Sequence, residues 1–207
     1  MSKIKLPHAS GNSMSIGAPA TNPASDLELK LPATVGSANQ VVANSSTPGT
    51  LAFANLPINE FDFWYLTTAL TSDGDLTSNL ARNNQAGAAS QIGTGMTESS
   101  GIFTFPSTGK YLILVQASFV IAGPDNVALD TMVTTNNSSY STHSRATDGN
   151  GSQTRTGGTF SMAFVDVTDT SQVKVKFNLN SLTSGGELQG NSNYITTGFV
   201  FIRLGDT

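Results

Sequence analysis

The stretch VKVKFNLN, residues 173–180, decides the fold class. Val173, Val175, Phe177 and Leu179 alternate with Lys174, Lys176, Asn178 and Asn180. Successive side chains of a β-strand point to opposite faces, so the stretch reads as a half-buried strand over a core. Runs of the same kind fill the chain from Phe61 onward, broken by Gly, Asn, Ser and Thr clusters. No window of comparable length carries the periodicity of an amphipathic helix. The sequence therefore predicts an all-β protein, with its chemistry on sheet faces and loops.

Working outward, KYLILVQASFVIA (110–122) is the longest strand candidate. Tyr111, Ile113, Val115, Ala117, Phe119 and Ile121 make one face apolar, and Leu112 and Leu114 make the other apolar at one end. A strand apolar on both faces needs cover on both sides, and a single sandwich supplies only one. The second cover is expected to be a neighbouring subunit, with Leu112, Leu114 and Trp64 as candidate interface residues. Trp64 is read as packing either in the core or at the subunit axis. FDFWYLTTAL (61–70), GIFTFP (101–106), VALDTMVTT (127–135), TFSMAFVDV (159–167) and YITTGFVFIRL (194–204) are further strand candidates, some eight to ten in all. Short strands joined by long polar connections suggest a jelly roll or a related sandwich.

Residues 1–57 read differently from residues 58–207. The first part is punctuated by Pro and Gly, with short apolar beats at Ile4 and Leu6, Met14 and Ile16, Val41 and Val42, and Leu51 and Phe53. Composition alone fits a disordered arm. The alternation in DLELKLP (26–32), with Leu27, Leu29 and Leu31 on one side, favours ordered strands instead. The expectation is an N-terminal stem or docking segment followed by a jelly-roll head.

Of the 207 residues, 38% are hydrophobic and only 12% are charged, against about 25% charged in an average domain. The polar surface must come from Ser, Thr, Asn and Gly. A net charge of −4 lacks the basic stripe that releases counterions from nucleic acid, so no nucleic-acid partner is expected. Cysteine is absent, which removes disulfides, thiol nucleophiles and thiolate metal sites. The N-terminus has no apolar run of signal-peptide length, and no stretch approaches the roughly 20 apolar residues of a membrane helix. Synthesis in the cytoplasm without membrane insertion is the expectation.

GIFTFPSTGKYLILVQASF (101–119) resembles the F-x-x-P-x-x-G-x-Y segment of C1q/TNF-like heads, with Pro106 to Gly109 as the turn that feeds the strand carrying Tyr111. FVDVTDTSQVKVKF (164–177) is similar to the paired strands of that fold, although Thr168 stands where the family's turn has glycine. TGFVFIRL (197–204) resembles its closing aromatic strand. A second resemblance covers Ser10 to Phe53, around LPATVGSANQV (31–41), to fibre and virion-surface proteins of tailed bacteriophages. Together the resemblances imply an all-β, C1q/TNF-like jelly-roll head on a short β-rich stem. They also imply a homotrimer and a non-enzymatic structural role on the virion surface, as a short fibre or a capsid decoration. The implied partners are other virion proteins of the capsid or tail. The alternative is a receptor-binding tail-fibre tip that recognises a host surface polysaccharide.

Candidate chemistry is sparse. His8 and His143 lie far apart in polar surroundings and read as loop residues. Ser72-Asp73-Gly74-Asp75 supplies two carboxylates where Ca²⁺ wants six to eight oxygens, so an Asp-Gly turn is the reading. Gly93-Thr94-Gly95 does not lead from a strand into a helix, as a phosphate-cradling loop would. Nucleophile elbows and paired catalytic carboxylates are missing, and neither cofactor nor metal is expected. The polar connection Asn136 to Arg155 is read as a distal loop. Tyr140, His143, Arg145 and Arg155 within it, with Tyr194 beyond, are the candidate ligand-binding residues. Tyr offers a flat stacking surface and Arg directed donors.

Overall fold

The computed structural model describes residues 3–7, 13–17, 28–37, 40–55 and 58–207. No helix occurs among the described residues. The chain divides into two compact units, Met1–Leu56 and Pro57–Thr207. In the first unit β1 (Lys3–Pro7) pairs with β2 (Ser13–Gly17), and β3 (Gln40–Asn44) pairs with β4 (Leu51–Asn55). Of the strand expected in DLELKLP, the described residues 28–32 form none. Lys30 alone forms an isolated bridge, to Thr50, and Leu29 and Leu31 are exposed; Leu27 lies outside the described residues, as does His8.

The second unit opens with β5 (Phe61–Leu66), β6 (Thr68–Leu70), β7 (Gly74–Asp75), β8 (Leu80–Arg82), β9 (Gln91–Ile92) and β10 (Thr97–Ser99). It continues with β11 (Ile102–Thr104), β12 (Gly109–Ile121), β13 (Asp125–Thr134) and β14 (Ser141–Asn150). It closes with β15 (Arg155–Val167), β16 (Lys174–Asn180), β17 (Glu187–Asn191) and β18 (Gly198–Gly205). The strands beyond the expected eight to ten are mostly two or three residues long, too short to carry an alternation.

Eight principal strands set the architecture. In chain order they are β5, β11, β12, β13, β14, β15, β16 and β18. One sheet runs β5-β18-β12-β15, the first, eighth, third and sixth of these. The other runs β11-β16-β13-β14, the second, seventh, fourth and fifth. That interleaving is a jelly roll, in which consecutive strands cross between two sheets.

The core follows from the alternation. Val175, Phe177 and Leu179 of β16 are buried, as are Tyr111, Ile113, Val115, Ala117, Phe119 and Ile121 of β12. Aromatic rings join the sheets: Phe177 stacks on Phe199 at 4.1 Å, and Phe103 meets Trp64 edge-on at 5.4 Å. Such pairs add about 0.5–1.5 kcal/mol each beyond the area they bury. At Gly109 (φ 143°) an added Cβ would run into the Arg203 side chain, so the turn leading into β12 needs glycine.

Candidate functional site

The side of the β5-β18-β12-β15 sheet that faces away from the core is apolar. The strand register lays it out in rows. Phe164, Leu112, Ile202 and Phe61 stand side by side, and Met162, Leu114, Val200 and Phe63 form the next row. Phe160 continues the column beyond Met162, opposite Gln116. Phe160, Met162 and Phe164 are 53%, 60% and 54% exposed. At one end the face closes with the cross-strand pair Lys110 and Asp166. Rows about 7 Å apart on strands about 4.8 Å apart give the patch roughly 400 Å² in projection, the size of the largest apolar patch on a typical monomer, which is often functional. Leu112 and Leu114 therefore lie on the outward face of the sheet, opposite the buried side of β12.

Trp64 does not. It is buried in the sandwich, because Asp62 and Trp64 take the inner side of β5 while Phe61 and Phe63 take the outer. This corrects its candidacy as an interface residue. Burying Trp64 requires a partner for its indole N–H, and it donates to the Asp62 carboxylate at 2.8 Å. The same carboxylate accepts from Arg82 Nε (2.8 Å), Arg82 Nη2 (3.0 Å) and the Met96 amide (2.7 Å). Arg82 also lies over the Trp64 ring, 4.9 Å from its centroid. Beside this hub Glu60 accepts from the backbone amides of Thr94 and Gly95, so the Gly93–Gly95 turn cradles the chain's own carboxylate.

Among the described residues β15 pairs only with β12, which leaves its other edge open. His143 Nε2 lies 3.1 Å from the Phe164 carbonyl, a contact that takes the Nε2–H tautomer. The Phe164 backbone therefore points to the open edge. Backbone groups alternate sides along a strand, so those of Phe160 and Met162 point there too.

Half of the expected distal loop from Asn136 to Arg155 is strand β14, which corrects the sequence reading. Arg145 is a strand residue whose guanidinium grips Asp130 through two bonds of 2.5 and 2.7 Å. Arg155 is tied to Asp148 and to the Gly149 carbonyl. Tyr140 holds its ring 4.6 Å from Lys176 Nζ, and its buried hydroxyl has no hydrogen-bond partner. Burial pushes the Tyr140 phenol above its usual range, with the nearby Asp75 charge adding to the effect. Tyr194 is 60% exposed, between β17 and β18. The five candidates thus do not converge on one pocket, and both arginines already have carboxylate partners. The Asp73 and Asp75 carboxylates turn to different partners: Asp73 to the Ser181 and Leu182 amides, Asp75 to Lys176 and Asn178.

Burial raises the Asp130 pKa, but bonds from Arg145, Asn180 and Thr142 outweigh it and hold the carboxyl below its usual range. A depressed carboxylate contributes stability that is present above its unfolded pKa of about 3.9 and is lost as pH falls through the folded value. Asp130→Asn is therefore expected to unfold at lower urea than the wild type at pH 7, with the gap closing on acidification below pH ~4. Urea midpoints across that range check it; a gap that is constant with pH would refute the assignment.

These hubs escaped the sequence reading because the partners lie far apart in the chain, 20 residues for Asp62 and Arg82 and 15 for Asp130 and Arg145. The one signal was an aspartate on the inward side of FDFWYL, which demands a buried partner.

The two sheets define a C1q/TNF-like jelly roll, and solved structures agree. The chain is similar to the Eiger TNF structure from S. frugiperda, with a TM-score of 0.56 and 14% identity over 73% of this chain and 96% of that one. It is also similar to murine APRIL, with a TM-score of 0.54 and 12% identity over 70% of this chain and 98% of that one. No protein-family model and no curated protein sequence matches the chain.

Proposed function

We propose that the chain is a non-enzymatic, homotrimeric structural protein of a tailed-bacteriophage virion surface, a short fibre or a capsid decoration. The observation that carries the oligomeric part is the uncovered face of Leu112, Leu114, Phe160, Met162 and Phe164. Withdrawing a large apolar side chain from water contributes about 1.5–3 kcal/mol, so three such residues in a column favour association strongly. The closed symmetry of a homo-oligomer lets every copy bury the same face. The virion part rests on the resemblance of Ser10 to Phe53 to phage fibre and surface proteins, with residues 1–57 serving as the stem or docking segment. Light scattering at micromolar concentration is expected to return three times the 21.5 kDa chain mass; a stable monomer would sink the reading. Immunogold labelling of intact virions distinguishes capsid from tail, and particles without label would remove the virion role.

A tail-fibre tip that grips host polysaccharide is the second reading. Exposed Tyr194 favours it, since that ring is free to stack on a sugar.

A further inference from the structure

The outward column of β15 that carries Phe164, Met162 and Phe160 ends at Gly158, opposite Ser118. The strand itself does not require glycine there. Gly158 is not among the residues of positive φ, and an added Cβ would meet only the Ala117 carbonyl at 3.6 Å, an ordinary contact. Its neighbour Gly157 is different, because a Cβ there would overlap the Asp148 carboxylate. Glycine within a strand weakens it, and where no fold reason exists it marks a close approach by another chain or a ligand.

Above Gly158 lies an open hollow of about 420 Å³, walled by Gln116, Ser118, Thr159, Phe160 and Thr196. Its polar groups are largely engaged within the chain. Gln116 Nε2 donates to the Thr196 carbonyl at 3.1 Å, Ser118 Oγ to Gln189 Oε1 at 2.7 Å, and Thr196 Oγ1 to the Gln189 carbonyl at 2.8 Å. A wall so satisfied offers few directed bonds to a small polar ligand and suits close packing by a protein surface.

The choice of occupant follows from area and continuity. A stable interface takes about 800 Å² per partner, roughly twice the projected apolar patch. The contact must therefore extend past the patch. At one end it meets the charges of Lys110 and Asp166; at the other, past Phe160, it meets the empty hollow. We propose that a second copy of this chain packs into the hollow over Gly158, and that Gly158 sets how closely the two copies approach. The proposal rests on the homotrimer reading and adds to it the point of closest approach.

The test compares Gly158→Ala, Gly158→Val and, at an exposed position of β14 in the other sheet, Thr147→Val, by sedimentation equilibrium with circular dichroism as the folding check. Valine suits a strand, so the head is expected to fold while its association weakens on the order of a hundredfold. Alanine is expected to fall between glycine and valine, and Thr147→Val to associate as the wild type does. Wild-type association by Gly158→Val overturns the proposal and leaves the trimer standing. If Gly158→Val does not fold, Gly158→Ala decides: unchanged association overturns the proposal, weakened association with a folded head supports it. A monomeric wild type overturns the trimer reading, and this proposal with it.

Discussion

Met162→Asp is expected to leave the head folded and to abolish the proposed trimer. Met162 stands at the centre of the outward column, between Phe160 and Phe164 and opposite Leu114, and is 60% exposed. In a lone head the aspartate points into water, where surface substitutions stay within about 0.5 kcal/mol. In the trimer the same carboxylate is sealed against apolar side chains without a partner, a penalty of about 3–5 kcal/mol per uncompensated charge. Each copy carries the lesion, so the penalties accumulate over the assembly. Light scattering should show a monomer, and thermal melting of that monomer should retain a cooperative transition. A trimer of unchanged affinity would mean that copies meet elsewhere or not at all.

The second large effect concerns the inner side of β5. Asp62→Ala is expected to cost about 3 kcal/mol of head stability, read as a lowered urea midpoint with an unchanged slope. The reason is what the removal strands: the buried Trp64 indole N–H, the Met96 amide and Arg82 Nε lose their acceptor at once, and the guanidinium keeps the Met96 carbonyl alone. Asp62→Asn keeps an acceptor oxygen but not the charge, and should fall between the two. A loss below about 1 kcal/mol for the alanine variant, the range of an exposed ion pair, would show that water replaces the carboxylate freely.

How far such features can be read from sequence depends on whether the signal is local. VKVKFNLN and KYLILV carry their burial pattern in their own residues, and both became strands with the expected inward sides. STHSRATDGN became β14 without announcing it, because its one fully buried apolar residue is Ala146. What holds it there includes the clasp of Arg145 on Asp130, a pairing no periodicity reveals. DLELKLP shows the reverse failure. Its alternation is clear, yet Leu29 and Leu31 stay exposed, since a pattern without a partnering strand makes no sheet. FDFWYL is apolar on both sides, so its orientation was undecided in Leu66 and the aromatics. Asp62 decided it, by pairing inward with Arg82 and Trp64. For the candidate site, the outward apolar face was legible at Leu112 and Leu114 but not at Phe160 and Phe164, whose strand neighbours Ser161 and Ala163 blur the contrast.

The open side of β15 gives newly made chains a deadline. Before the proposed neighbours close over it, each head shows a long strand whose backbone groups beside Phe160, Met162 and Phe164 pair with no strand among the described residues, and His143 occupies one carbonyl. Such an edge is a template for indiscriminate strand addition. If copies assemble as proposed, assembly and precipitation compete for the same surface, and the yield of assembled protein becomes a matter of rates as much as of affinity. A charge at Met162 stops both reactions, acting as a gatekeeper. A substitution that only slows assembly leaves the strand exposed for longer, and its loss would be counted in insoluble protein before it was counted in monomers.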